Sequence, residues 1–141
     1  MSRREWWCMV ALTLGCSAVP PTAPDATPDA GQPPLMGQGV PAQFVGAGGH
    51  QAAGTVTVRV EGNRARLDFS ADFLVDGVPG PYVYLNTTNN PNSGAPLRVA
   101  ALQRNSGSQT YTFLIPAGVS YTWVLVWCDP FNVGVGEARI P

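Results

Sequence analysis

An all-β fold, an antiparallel β-sandwich or barrel, is predicted for the C-terminal part of this chain by three observations. Apolar residues alternate with polar ones at a period of two, clusters of Gly, Pro and Asn cut the alternation into short runs, and no stretch keeps a 3.6-residue period over a helical length. Seven or so short strands with turn signals between them predict a domain of about a hundred residues. The whole chain has 141 residues, 45% of them hydrophobic, with Gly 16 and Pro 14, so one small core is expected together with much turn and linker.

The first element is not part of that fold. Arg3 and Arg4 form a charged head, Trp6 to Leu14 an apolar run too short to span a bilayer, and "LTLGC" closes the segment. Residues 1–15 are therefore read as an export signal. Its end resembles the lipobox of bacterial lipoproteins, with Thr13 where Leu is commonest, which makes Cys16 the acylated first residue of the mature chain. Simple secretion and an uncleaved anchor are the other readings. Residues 16–43 follow as a lipidated cysteine and a disordered Pro- and Ala-rich linker, in which proline fixes the backbone and no hydrophobic period survives. Such a segment extends about 3.1 Å per residue and holds a domain away from a membrane. An exported lipoprotein at the periplasmic face or the cell surface is expected, with the membrane contacted through the lipid.

The β domain is expected over residues 44–141. Val56, Val58 and Val60 share one face of "GTVTVRV", Ala65, Leu67 and Phe69 one face of "RARLDF", and "EGN" between them is a turn. Further strands are expected at Tyr82 to Leu85, Leu97 to Leu102, Tyr111 to Ile115, Tyr121 to Cys128 and near Val133 to Ile140. In the run ending at Cys128, Trp123, Leu125 and Trp127 occupy one face and Val124, Val126 and Cys128 the other. Both faces are apolar, so this strand should be central and covered on both sides.

Composition excludes some partners and leaves few reactive groups. A net charge of −1, no lysine and singly scattered arginines provide no patch for nucleic acid. If Cys8 leaves with the signal and Cys16 carries lipid, Cys128 is the one free thiol, and no intrachain disulfide can form. It packs as a small hydrophobe, reacts as a redox or cofactor-contacting thiol, or pairs with another molecule; the adjoining "DP" is a turn signal, while Asp129 works against forming the thiolate. His50 is the only histidine. A metal cluster of Cys128, His50 and a carboxylate is one reading of it, a polar or packing role the other. Trp127 and Phe131 read as core residues or as a stacking surface for a partner's cofactor. Asp68, Asp72 and Asp76 read as solvated turn carboxylates rather than a calcium loop. No hydrolase, transferase or metalloenzyme motif is present, and no cofactor is assigned within the chain.

Four blocks, "GHQAAGTVTV", "LDFSADFLVDGVPGPYVYLN", "GSQTYTFLIP" and "VLVWCDPFNVGVGEARI", resemble in order and spacing the DM thirteen domain of Skeletor-type and bacterial exported proteins. The resemblance covers about residues 44 to 141, and its last block is the most specific. It implies a β-rich domain that accompanies heme-binding DOMON and b-type cytochrome domains and takes part in extracellular electron transfer through the Trp-Cys cysteine, here Cys128. A cytochrome or DOMON-like partner, with any heme or metal met through it, follows from the same resemblance, as does a match for His50. Gly134, where the family more often has a bulky residue, and the insertion around Asn86 to Pro96 depart from the pattern. The alternative function is a non-catalytic surface domain that binds protein or glycan, with Cys128 packed.

Overall fold

The computed structural model describes residues 39–141; the expected signal, Cys16 and the linker up to residue 38 lie outside the described residues. Ten strands occur among the described residues: β1 (Pro41–Gly46), β2 (Ala52–Ala53), β3 (Thr55–Glu61), β4 (Arg64–Phe69), β5 (Leu74–Val75), β6 (Pro81–Asn86), β7 (Leu97–Ala101), β8 (Gln109–Leu114), β9 (Trp123–Cys128) and β10 (Val133–Arg139). Eight form one antiparallel sheet in the order β7-β6-β9-β10-β1-β3-β4-β8, and β2 pairs with β5 as a small ribbon. The all-β expectation holds.

Period-two alternation produces the sheet for the usual reason: each strand turns every second side chain inward. Val56, Val58 and Val60 on β3 and Ala65, Leu67 and Phe69 on β4 are all buried, and the two strands pair in register from Val56↔Phe69 to Glu61↔Arg64. The opposite face of this hairpin is polar, where Asp68 accepts from Arg59 at 2.8 Å and from Arg66 at 2.9 Å. Phe44, Phe69, Phe73 and Tyr111 form the aromatic part of the core, with ring centroids 4.7 to 5.4 Å apart. Tilted and edge contacts of this kind contribute about 0.5–1.5 kcal/mol each beyond burial.

The sheet curls until its edge strands approach, so the domain is a nearly closed barrel. Their seam is bridged by side chains and not by a backbone ladder. The Tyr111 hydroxyl accepts from the Gln103 backbone N–H at 2.9 Å and donates to Gln109 Oε1 at 2.6 Å. Gln103 Nε2 donates to the Thr110 carbonyl, and Gln109 Nε2 to the Arg104 carbonyl.

β1 straddles the expected boundary at residue 43. It pairs with both β10 and β3, and its Ala42 and Phe44 are buried, so the sheet begins inside what reads as linker. β9 is central as expected, between β6 and β10. Val124, Val126 and Cys128 face the core, while Leu125 is 1% exposed although it faces outward. The loop after β6 reaches this face beside Glu137, the residue across from Leu125. Asn86, itself 0% exposed, donates from Nδ2 to the Asn90 and Ser93 carbonyls and to Thr88 Oγ1. That holds the Asn-rich loop compact, and Asn89 and Asn92 tie it to Glu137 on β10 and to Asn132 in the β9–β10 turn.

Candidate functional site

Cys128 ends β9 facing inward. Its sulfur is almost wholly enclosed, with the residue 1% exposed, and the thiol donates to the Pro79 carbonyl at 3.1 Å. Cys128 stands opposite Pro81 on β6 and Val133 on β10. The carbonyl that it meets belongs to residues 76–80, which have no regular structure and lead into β6. The "DP" turn therefore brings the backbone to the surface without exposing the sulfur.

This irregular segment is fastened at few points. Asp76 N–H donates to the Gln51 carbonyl at 3.1 Å, and Asp129 N–H reaches the Gly80 carbonyl at 3.3 Å. Gly80 has φ +56°, and a Cβ there would lie 3.0 Å from Cγ and Cδ of Pro130, so glycine is required for both conformation and space. Pro79 and Gly80 thus form a short cover over the thiol, latched by the turn that follows it.

Asp129 is next to Cys128 in sequence and on the other side of the sheet in space, because successive side chains of a strand point to opposite faces. Its Oδ1 accepts from the Tyr84 hydroxyl at 2.8 Å, and its Oδ2 lies 2.6 Å from Arg98 Nη2. Arg98 also lies over the Tyr82 ring, 3.4 Å from the centroid. Burial first, and then the hydrogen bond to Asp129, push the Tyr84 phenol above its ordinary range. The Asp129 charge is thus engaged by Arg98 and Tyr84.

Trp127 and Phe131, read as core residues or a stacking surface, lie outside the core. Phe131 is 70% exposed at the β9–β10 turn, and Trp127 is half-buried on the outer face, where Nε1 donates to Asn132 Oδ1 at 3.2 Å. Gly134 explains the position of that indole. A Cβ at 134 would come 3.2 Å from Trp127 Cζ3 and 3.0 Å from Ala47 Cβ, so the ring and Ala47 occupy the room that a bulky residue would need.

His50 does not join Cys128. It lies in the turn after β1, with Nδ1 3.6 Å from Asp76 Oδ2, the oxygen that also accepts from Gln51 N–H at 2.7 Å. Asp68 and Asp72 have other partners, Asp72 accepting from the Ser70 hydroxyl. Among the described residues no three His, Cys, Asp or Glu side chains converge as a metal would need. Nor does the enclosed sulfur, as folded, present an open face to heme iron or another metal. Sequence reasoning missed Tyr84 and Arg98. They are remote from Asp129 along the chain, and only the β7-β6-β9 strand order places them beside it.

The fold and site together define a small antiparallel β domain with one enclosed thiol at the end of its central strand. The chain belongs to the DM13 family, described as electron transfer DM13, which it matches over residues 43–140. It is 31% identical over 88 residues to Protein Skeletor, isoforms B/C, and likewise to isoforms D/E, both of Drosophila melanogaster. Those matches cover 55% of this chain but only 11% and 6% of the relatives. No solved structure matches the chain.

Proposed function

We propose that this protein is a lipid-anchored, extracytoplasmic accessory module of a redox system, in which Cys128 exchanges electrons or undergoes thiol oxidation with a cytochrome or DOMON-like partner. The family's electron-transfer description supports a redox role. The observation that carries the role of Cys128 is its place at the end of β9, where its thiol meets the Pro79 carbonyl of the irregular segment that leads into β6. A single thiol cannot store electrons as an intrachain disulfide. Its open routes are a sulfenic acid, a mixed disulfide, or ligation to a partner's metal, and each requires the cover at Pro79 and Gly80 to move. Cys16, at the end of the signal-like segment, is the proposed lipid attachment, and the Pro-rich stretch the spacer.

One observation favours a second reading, a non-catalytic surface domain that binds protein or glycan: Cys128 is 1% exposed and its thiol already has a partner in Pro79. Thiol chemistry on the folded protein separates the two. In the redox reading a thiol reagent or peroxide modifies Cys128 faster than the protein unfolds, and Cys128→Ala keeps the fold while abolishing the response. In the packing reading modification keeps pace with unfolding, and Cys128→Ser destabilises the protein by about 1–3 kcal/mol through an ill-satisfied buried hydroxyl. Metabolic labelling with a fatty acid tests the anchor. Label is expected on the wild type and not on Cys16→Ser, and equal labelling of both overturns acylation there.

A further inference from the structure

Four tyrosines occur in this chain, and Tyr84 is the one whose hydroxyl meets a carboxylate, donating to Asp129 Oδ1 at 2.8 Å. Removing an electron from a phenol turns its O–H into a very strong acid, so oxidation near neutral pH is fastest where a base already stands in hydrogen-bond contact. Tyr111 donates to the Gln109 amide oxygen, which cannot take up a proton at neutral pH. The Tyr82 ring lies under the Arg98 cation, and its hydroxyl meets no carboxylate among the described residues. Arg98 also fixes the Asp129 carboxylate from its far oxygen, leaving Oδ1 aimed at the phenol. Trp127, directly across from Tyr82 on the neighbouring strand, lends the same outer face a second oxidisable ring.

We propose that Tyr84 is a proton-coupled electron relay on the outer face of the sheet, with Asp129 as its proton acceptor and Arg98 as the residue that positions Asp129. This inference rests on the redox reading of the domain and names a second group through which electrons pass. In the step, the Tyr84 hydroxyl gives one electron to a high-potential one-electron oxidant, such as a ferryl metal centre, and its proton to Asp129. A neutral phenoxyl, a protonated carboxyl and the one-electron-reduced oxidant result. A reduced donor restores Tyr84 with one electron while Asp129 returns the proton. The raised Tyr84 phenol keeps its hydroxyl protonated at neutral pH, so the proton is there to be passed.

Flash oxidation of the folded full chain by tris(bipyridine)ruthenium(III), followed by the absorption and paramagnetic signal of the phenoxyl, tests this directly. A fast phenoxyl phase is expected whose rate does not change with pH across the neutral range. Tyr84→Phe should remove it. Asp129→Asn keeps a hydrogen-bond acceptor but cannot take the proton, and should slow the phase about tenfold or more while making its rate depend on buffer base. A fast phase that survives Tyr84→Phe, or an unchanged rate in Asp129→Asn with circular dichroism intact, overturns the proposal. The same fast phase is expected in Cys128→Ala, so failure of the thiol and failure of the tyrosine are read separately.

Discussion

Replacing Gly80 by alanine should make the buried thiol react faster without opening the barrel. In the folded state Gly80 has φ +56°, and a Cβ would sit 3.0 Å from the Pro130 ring. The left-handed backbone costs a non-glycine residue about 1–2 kcal/mol. That strain exists only while the cover is closed, so the equilibrium between closed and locally open forms shifts by roughly 5- to 30-fold. Labelling of Cys128 by a chromogenic disulfide, in the regime where reclosing outpaces reaction, reads that shift directly. Gly62 provides the control: it has φ +59°, lies in the β3–β4 turn away from Cys128, and has open space where its Cβ would go. Gly62→Ala carries similar backbone strain but has no contact with the cover. Acceleration in Gly80→Ala alone places the thiol's route through Pro79 and Gly80. Equal acceleration in both variants means that the sulfur is reached by global unfolding, and no acceleration in either refutes the cover as a gate.

Three further outcomes are expected. Asn86→Asp should destabilise the domain more than Asn86→Ala, because a carboxylate oxygen would face the Asn90 and Ser93 carbonyls that now accept from Nδ2; burial raises the folded carboxyl pKa above the unfolded value, so the deficit should shrink as pH falls toward about 4 and level off below it, and urea unfolding at several pH values checks this. Removing residues up to Gly46 should abolish cooperative unfolding by deleting a strand paired on both sides, whereas removal up to residue 38 should leave circular dichroism and the unfolding midpoint nearly unchanged. Burial pushes the phenols of Tyr84, Tyr111 and Tyr121 upward. Below the unfolded value near 10 all are protonated in both states and their contribution is complete; above about pH 10 the unfolded chain ionises first and stability falls, as urea titrations from pH 8 to 11 should show.

The parts of the fold legible in the sequence are those where one face is buried and the other wet. The β3–β4 hairpin alternates cleanly because its outer face is occupied by Thr, Arg and Asp, and β9 stands out as central because both of its faces are apolar. β1 is hidden: "PAQFVG" buries only Ala42 and Phe44, starts at a proline and follows a Pro-rich stretch, so its pairing with two neighbours leaves little local trace. Cys128 is legible as a candidate, yet its surroundings are not. Asp129 adjoins it in the chain but turns to the opposite face, and Phe131, apolar enough to read as core, stands exposed at a turn. The residues that surround the outer face, Tyr84 and Arg98, arrive by strand order, which no local period encodes.

The seam between β7 and β8 has a consequence for how the protein stays monomeric. Edges joined by glutamine and tyrosine side chains can part without breaking a single rung of the sheet, and once parted they leave β8 as an open template. From Gln109 to Leu114 that strand carries no charged residue, and Leu114 is 62% exposed. Exposed strands without charge or proline invite intermolecular strand addition. The small polar clasp of Gln103, Gln109 and Tyr111 therefore guards this edge against assembly with other chains.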